Sequence, residues 1–546
     1  MSSIKQDIET SEIELASGQV APLDKNKKKI GPISAVGLIF NRMVGTGIFA
    51  TTSTIYVLSG SVGLSLILWF VGALISLSGL YVYMEFGSAI SKNGGEKNYL
   101  EYVYSRPKFL ASAMYGAYIF FLGWAAGNSI VFGEYILTAA DVEVTRWNQR
   151  GVGLACITFA FLVHSYSVKV GTYLQNILGL FKLVVILVIT VTGWVALGGG
   201  IKGAPGKANF HHAFTGGPVT GYGVVTALYN IIWSFIGYSN ANYALGEIKD
   251  PIKTLRIAAP IAVVVLAIIY MLVNIAYFAV VPLDVLADSG QIVAANFFRV
   301  AFGEKSQKAL SVFVALSALG NVLAVIFAQG RIIQQLGREG ILPFSSFFAS
   351  QKPFNTPAAG LMEHWIICLI TILAPPPGDA YNLIMNLVSY PMNIVNLLIA
   401  IGLLYLHLQH RRGKLAWNPP IKATIPLTIF FLLSSLYLVV APYLAPTAGQ
   451  SVYKHLPYYL HCVIALGVFA VGAVYWAIWA QVLPRLGGYR LDAKEVLGED
   501  GFWRHKIIKV PNGAVTSSGS SSSIEAYSSN DHLDSTKEVP AGGISF

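Results

Sequence analysis

The sequence predicts an all-α polytopic membrane protein with twelve transmembrane helices. Of its 546 residues, 54% are hydrophobic and only 12% are charged, and the mean hydropathy is +0.59. This composition is far too apolar for a soluble protein. Apolar runs long enough to cross a bilayer recur along the chain, because about 20 apolar residues cover the hydrocarbon core. The predicted spans are residues 33–58, 62–90, 110–140, 151–167, 170–198, 219–247, 257–281, 308–336, 359–375, 379–408, 424–445 and 456–483.

The distribution of lysine and arginine predicts the orientation. If the N-terminus is cytoplasmic, 27 of the 37 lysine and arginine residues fall in cytoplasmic tails and loops. By the positive-inside rule, this excess of basic residues on one side indicates twelve spans with both termini in the cytoplasm. The net charge of +10 therefore follows from topology and indicates no nucleic-acid partner. The predicted units are a cytoplasmic N-terminal tail at 1–30, a membrane domain at 31–483 and a cytoplasmic C-terminal tail at 484–546.

Both tails have the polar composition of disordered segments. The C-terminal tail contains a serine-rich run at 516–530, and residues 496–510 are expected to form a short amphipathic piece against the membrane or the cytoplasmic mouth. Four lysines stand just before the first span, where a basic cluster usually sets topology and contacts anionic lipids. We also expect these lysines to accept ubiquitin from a ligase, and the serine-rich run to be phosphorylated, as turnover signals. The four lysines are Lys25, Lys27, Lys28 and Lys29.

The first span contains a glycine pair, Gly45 and Gly47, where an unbroken helix would be the default. Each glycine costs about 1 kcal/mol relative to alanine in a helix interior. A helix break at membrane depth survives only where the freed backbone groups line a cavity or are buried in protein. The N–H groups of Thr46, Gly47 and Ile48 would begin a second half-helix and favour an anion such as a carboxylate. The alternative is a tight helix crossing through small residues.

A second interruption lies in span six, where residues 233–242 read Trp-Ser-Phe-Ile-Gly-Tyr-Ser-Asn-Ala-Asn. A polar, glycine-bearing stretch inside a span is costly unless it faces a cavity. The two breaks fall in the first spans of two five-helix blocks, residues 31–198 and 219–408, which two further helices follow at 424–483. Matching interrupted spans in two halves indicate an inverted-repeat transporter with its site near the bilayer midplane.

Five short motifs carry a resemblance to a known family. The chain resembles the L-type amino acid transporter branch of the amino acid/polyamine/organocation superfamily from about residue 30 to residue 483. Within that branch it is most similar to the fungal high-affinity methionine permeases. The motifs, in chain order, are Met-Val-Gly-Thr-Gly-Ile-Phe at 43–49; Glu-Phe-Gly at 85–87 with Gly-Gly-Glu at 94–96 and Tyr99; Glu-Ile-Lys-Asp-Pro at 247–251; Arg-Glu-Gly-Ile-Leu-Pro at 338–343; and Pro-Ile-Lys at 420–422.

The resemblance implies a five-plus-five inverted-repeat fold, the LeuT fold, with two extra helices and alternating access. It implies a plasma-membrane permease that imports a neutral L-amino acid, and the similarity to the methionine permeases implies methionine. Proton symport is expected because a high-affinity nutrient permease needs a driving force. The residues alone reach only a neutral amino acid, because the site offers no acidic residue to match a cationic side chain. An amino acid exchanger of the same fold and a non-transporting amino acid receptor are the alternatives.

The resemblance also places the substrate contacts. The substrate carboxylate would meet backbone N–H groups of the first break, and the ammonium would meet backbone carbonyls of both breaks. Trp233 falls where the family has a bulky aromatic that closes over the substrate, although a packing or interfacial tryptophan is the alternative. The N–H groups are those of Gly45, Thr46 and Gly47, and the carbonyls are those of Met43, Trp233, Ser234 and Ile236.

Lys182 is the only lysine deep within a predicted span. The resemblance places it where sodium-coupled relatives bind a cation and sodium-independent relatives carry lysine. Burial disfavours a charged lysine, so this group can load and release a proton. Lys182 would then be either a titrating group, which suits proton-driven uptake, or a fixed cation bracing the first break, which suits an exchanger. We favour the proton as coupling ion and expect no other cofactor.

Two charged residues are candidates for a cytoplasmic gate. Arg42 departs from the family pattern, which often has an uncharged residue beside the break. A cation at this depth must pair or reach the interface. Glu85, near the cytoplasmic end of span two, is its candidate partner, and structural pairing is the simpler role for both residues.

Other ionisable residues lie near predicted span ends, namely Glu134, His164 and Glu247, for which interfacial solvation is expected. The pair His407 and His410 gives little support for a metal site, since a catalytic site normally needs a third ligand.

The remaining motifs argue against an enzyme. The chain lacks His-Glu-x-x-His, and its nearest approach to Gly-x-Ser-x-Gly, at 237–241, ends in alanine. Cys156, Cys368 and Cys462 are scattered in apolar runs and are expected to be packing residues.

Overall fold

A computed structural model describes residues 40, 42–90, 94–239, 251–446, 451–497 and 503–512. Glu247, the lysine cluster before the first span and the serine-rich run lie outside the described residues. Helices occupy the apolar runs expected from the sequence. The first eight are α1 (Gly47–Ala50), α2 (Thr52–Ser59), α3 (Val62–Ala89), α4 (Glu96–Val103), α5 (Leu110–Phe120), α6 (Ala126–Ala139), α7 (Arg146–Tyr166) and α8 (Val168–Leu197).

The second half of the chain is helical as well, and a two-stranded antiparallel hairpin follows its last helix. Its elements are α9 (Ala208–His211), α10 (Gly221–Phe235), α11 (Pro251–Val280), α12 (Leu283–Asp288), α13 (Val293–Phe302), α14 (Glu304–Glu339), α15 (Ser345–Ala349), α16 (Ala358–Leu373), α17 (Ala380–Arg411), α18 (Ile425–Val440), a 3₁₀ turn (Ala441–Tyr443), α19 (Leu460–Trp476), a π-helical segment (Ala477–Val482), α20 (Leu483–Gly487), β1 (Tyr489–Leu497) and β2 (Trp503–Pro511).

Within the described ranges, seven helices are long and apolar enough to cross a membrane, and three more apolar helices are shorter. The chain is therefore a multi-pass membrane protein. Some predicted spans fall short of a single long helix because they are interrupted. Span one is divided into short helices around residues 44–46, and span three is divided into α5 and α6.

The hairpin covers part of the segment for which the sequence predicted an amphipathic piece at 496–510. Ile507 of β2 packs against the hydrophobic core, and its backbone oxygen would lie 3.2 Å from a Cβ added at Gly340. Gly340 ends α14 in the left-handed region, with φ 82°. The hairpin therefore packs on the C-terminal end of α14.

A buried ion pair fixes the same end of α14 to the short helix α4. The ammonium of Lys97 contacts Glu339 of α14 and lies 3.1 Å from Glu101. Burial alone would lower the pKa of Lys97, but the carboxylates of Glu339 and Glu101 raise it above its ordinary value. Because the pKa of Lys97 is raised in the folded protein, the ion pair stabilises the fold fully at any pH below the lysine pKa of the unfolded chain, about 10.4. This contact is therefore constant across physiological pH.

Candidate functional site

The first predicted break is present in the structure. The helix that contains Met43 stops there, Val44 to Thr46 are not helical, and α1 begins at Gly47. The N–H of Gly45 donates to the Met43 oxygen at 2.9 Å. For the N–H groups of Thr46 and Gly47, the described residues provide no acceptor. These two donors at the start of a half-helix have the geometry that favours a carboxylate.

The second predicted break meets the first. Helix α10 ends at Phe235, and Gly237 follows with φ 119°, a conformation that residues with a side chain rarely adopt. A Cβ at Gly237 would lie 2.6 Å from Cγ of Arg42, and a Cβ at Gly47 would lie 2.9 Å from Cα of Ser234. Gly47 is needed because the backbone of the second break lies against it, and Gly237 is needed for its positive φ and for the Arg42 side chain that packs on it.

A small cavity lies where the breaks adjoin, with a volume of about 20 Å³. It brings together most of the residues predicted from the sequence with three that were not predicted. Thr46 and Ser234 border it through contacts with its lining residues. The lining residues are Arg42, Met43, Gly45, Gly47, Trp124, Asn128, Trp233, Ile236 and Asn321.

Three of the four carbonyls expected to receive the ammonium already have partners in this structure. The hydroxyl of Tyr270, on α11, lies 2.9 Å from the Met43 oxygen and 3.1 Å from the Ser234 oxygen. The Trp233 oxygen accepts from the N–H of Ile236 at 3.2 Å. A carbonyl oxygen has two lone pairs, so each can also accept from a bound ammonium. Tyr270 thus ties the broken ends together on the side where a cation would bind.

A chain of side-chain hydrogen bonds surrounds the first break. The Thr46 hydroxyl donates to Oδ1 of Asn128 at 2.6 Å, and Nδ2 of Asn128 donates to Oδ1 of Asn321 at 2.9 Å. Nδ2 of Asn321 then donates to the Arg42 oxygen at 3.4 Å. The chain starts and ends on the first span and passes through α6 and α14. It fixes the orientation of both amides.

The second half of the first span is also fixed from neighbouring helices. The hydroxyl of Tyr135, on α6, donates to the Phe49 oxygen at 3.0 Å. The hydroxyl of Thr52 donates to Oδ1 of Asn274, on α11, at 2.8 Å. The half-helix whose N–H groups face the cavity is therefore oriented by polar contacts as well as by packing.

A third interruption, which the sequence analysis did not predict, lies in span three. Helix α5 ends at Phe120 and α6 begins at Ala126. Between them, the N–H of Trp124 donates to the Leu122 oxygen at 3.0 Å. The interruption brings the Trp124 side chain to the cavity wall.

Lys182 is fully buried on α8. Its Cε would lie 3.6 Å from a Cβ added at Gly320 of α14, next to the cavity residue Asn321. The positive charge of the Arg42 guanidinium acts electrostatically on Lys182. The structure therefore places Lys182 behind the first break, between α8 and α14.

Glu85 does not pair with Arg42, and the proposed partnership needs correction. Oε1 of Glu85 lies 2.7 Å from Nε2 of His407 and accepts from Nε1 of Trp417 at 2.8 Å. Oε2 accepts from the N–H of Ala423 at 2.7 Å. These contacts bind α3 to His407 on α17 and to the loop between α17 and α18. A carboxylate buried among three donors serves to hold that loop, which sequence spacing alone could not show.

The other ionisable residues differ in their surroundings. His164 was expected to be solvated at an interface, but it is fully buried and stacks on Phe327 with 5.0 Å between ring centroids, so that expectation is wrong. Glu134 accepts from Nε2 of Gln149 at 2.9 Å. His410 contacts the backbone around 415–417. The three cysteines are buried and free.

The unpredicted site residues are Trp124, Asn128, Tyr270 and Asn321. Asn128 and Asn321 could have been suspected, because uncharged polar residues inside spans are also costly and face protein or cavities. No sequence pattern signals the bridging role of Tyr270, which depends on the contact between the two breaks.

Comparison with known proteins identifies the relatives of the chain. A family model described as amino acid permease matches residues 30–469. The chain is 61% identical to the high-affinity methionine permease of Saccharomyces cerevisiae, over 94% of this chain and 90% of that protein. It is 31% identical to the low-affinity methionine permease of the same yeast, over 89% and 88%. It is 29% identical to the mouse b(0,+)-type amino acid transporter 1, over 84% and 91%. The resemblance drawn from the motifs is confirmed.

Proposed function

We propose that this chain, which belongs to the amino acid permease family, imports methionine across the plasma membrane and is not an enzyme. The observation that carries the proposal is the cavity between two adjoining helix breaks. It offers N–H groups at Thr46 and Gly47 that have no acceptor among the described residues, for a carboxylate, and carbonyls at Met43 and Ser234 for an ammonium. These groups bind the common part of any amino acid. The identity of 61% to a methionine permease supports methionine as the amino acid carried.

The architecture we propose has twelve spans with both termini cytoplasmic, arranged as a five-plus-five inverted repeat with two extra helices. The two interrupted spans support it, since each begins one of the proposed five-helix blocks. Alternating access would then move the two blocks around the fixed site. Turnover of the permease through a ubiquitin ligase acting on the N-terminal tail is part of the same proposal.

The experiment that tests the function is uptake of labelled methionine in a host that lacks its own amino acid permeases. We expect saturable uptake that unlabelled methionine abolishes and that most of the other nineteen amino acids reduce little. Purified protein in vesicles separates a permease from a receptor of the same fold. A permease accumulates labelled methionine in the lumen, whereas a receptor only binds it, and binding without accumulation would contradict the proposal.

The proposed coupling is proton symport, with an exchanger as the alternative. A high-affinity nutrient permease needs a driving force, and Lys182 lies buried behind the break where a coupled charge can act on the site. An exchanger would instead require amino acid inside the vesicle. Uptake into vesicles empty of amino acid, driven by an imposed proton gradient, therefore favours symport.

Trp233 provides a test of closure over the substrate. Its side chain lines the cavity and is 8% exposed. If Trp233 closes the site, Trp233→Ala will lower uptake by far more than it lowers binding, because closure commits the substrate to passage. The measurement is uptake in cells alongside binding of labelled methionine to purified protein.

The control for this test is Trp194→Ala. Trp194 lies on α8 and is 55% exposed, outside the lining of the cavity. We expect Trp194→Ala to leave methionine uptake and methionine binding near those of the unmodified protein. Equal and modest losses of uptake and binding in Trp233→Ala would show that Trp233 is a packing residue.

A further inference from the structure

Trp124 carries a hydrogen-bond donor that the described part of the chain leaves unsatisfied. Its side chain lines the cavity and is only 6% exposed, and its indole Nε1 is buried without a partner. An indole N–H can only donate. A buried donor without an acceptor costs free energy, and native proteins seldom keep one without a reason. A ligand that brings an acceptor to this wall of the cavity would satisfy it.

The neighbouring polar groups already have other partners. Asn128 accepts from Thr46 and donates to Asn321, and Asn321 donates to the Arg42 oxygen. The backbone groups of the two breaks suit the carboxylate and the ammonium that all amino acids share. The indole N–H of Trp124 is thus a donor left over for the part of the substrate that differs between amino acids.

The surroundings of this donor limit the chemistry of the side chain that it can recognise. Three residues with largely apolar side chains, Met43, Trp233 and Ile236, line the cavity together with Trp124. A fitting side chain is therefore mainly apolar and has one weak acceptor. A thioether meets both conditions, because its sulfur accepts weakly and makes favourable contacts with aromatic rings. Branched and straight hydrocarbon side chains offer no acceptor.

The indole is fixed before any ligand arrives. The interruption between α5 and α6 turns the residue toward the cavity, and the ring of Tyr118 packs edge-on against it with centroids 5.3 Å apart. A Cβ at the preceding residue, Gly123, would lie 2.6 Å from Oγ1 of Thr371, so α16 packs tightly behind the turn. Because the indole is already held in place, it loses little conformational entropy when the substrate binds.

We propose that Trp124 determines the specificity of the site, donating its indole N–H to the thioether sulfur of the substrate. This inference rests on the proposed import of methionine. It implies that methionine is preferred over norleucine, which has the same length and shape but a methylene in place of the sulfur.

The test compares methionine with norleucine in the unmodified protein and in Trp124→Phe, which removes the N–H and keeps an aromatic ring. The change in cavity volume affects both amino acids alike, so the ratio of their KM values isolates the donor. We expect norleucine to have a KM about three- to tenfold higher in the unmodified protein, the range of one net hydrogen bond. In Trp124→Phe the ratio should fall to about one.

The matched control is Trp69→Phe. Trp69 also has a buried indole N–H that finds no partner within the described ranges, but it packs against Phe235 and Tyr270 outside the lining of the cavity. Trp69→Phe should keep the ratio of the unmodified protein. If Trp124→Phe fails to reach the cell surface, competition for binding to purified protein gives the same ratio.

A ratio near one in the unmodified protein would overturn the inference, as would an unchanged ratio in Trp124→Phe or an equal loss in Trp69→Phe. In each of these cases methionine is still taken up and the proposed function stands. If the unmodified protein takes up no methionine at all, the proposed function fails, and the inference fails with it.

Discussion

Replacing Gly47 with valine is expected to abolish methionine uptake while the protein still reaches the cell surface. A Cβ at Gly47 would overlap the hydroxyl of Ser234 and lie 2.9 Å from the Cα of that residue. Backbone cannot rotate away as a flexible side chain can, so the two interrupted spans would have to separate. Overpacking of this kind costs about 1–3 kcal/mol. The branched side chain would also block the approach of a carboxylate to the N–H of Gly47.

Gly47→Ala gives the same clash with less bulk, and we expect it to lower uptake by at least about tenfold, in line with that cost. The matched control is Gly467→Val on α19, because a Cβ there meets no atom within 4 Å. The measurements are uptake, surface abundance and binding of labelled methionine. Unchanged methionine affinity in Gly47→Val would contradict a carboxylate site at this break.

The positions of the two breaks could be predicted because a glycine-bearing stretch within an apolar span is visible locally. Gly45, Gly47 and Gly237 each stand out against neighbours that favour an unbroken helix. Lys182 was identifiable for the same reason, since a charge within a span is rare. In these cases the sequence itself contains the anomaly, and the structure adds only the contacts.

The rest of the site depends on which helices adjoin. Tyr270 is one of many tyrosines in the chain, and its role follows from the 2.9 Å and 3.1 Å contacts that span two breaks. Glu85 was assigned to Arg42 from proximity along the predicted topology, whereas its carboxylate oxygens contact α17 and the loop after it, more than 300 residues later. Such partners are set by packing between distant segments, so a single sequence does not reveal them.

The interruption of span three was missed for a related reason. Gly123 and Gly127 flank Trp124, but glycine is common in membrane helices and usually permits close helix packing. Two nearby glycines therefore do not distinguish a helix break from a tight helix–helix crossing. In span three both occur, since Gly123 packs against Thr371 while the helix is interrupted.

Lys182 is the residue through which we expect a proton gradient to drive uptake. It is fully buried on α8 behind the first break, and the cationic Arg42 lies within electrostatic reach. Two cations near one another in a low-dielectric interior repel, so a change in the protonation of Lys182 alters the field at the break. Movement of the break during alternating access would in turn change the proton affinity of Lys182. Coupling requires this mutual effect, in which each event alters the free energy of the other.

Lys182→Met should therefore retain some methionine binding but lose accumulation that depends on pH. The matched control is Lys169→Met, which removes an exposed lysine from the N-terminal end of the same helix and should leave accumulation unchanged. The measurement is methionine uptake into vesicles with and without an imposed proton gradient, in buffers with and without sodium. If Lys182 is instead a fixed cation of an exchanger, uptake will require amino acid inside the vesicle and will not respond to the proton gradient. Uptake by the unmodified protein that collapses without sodium, or that does not respond to the proton gradient, would rule out proton coupling.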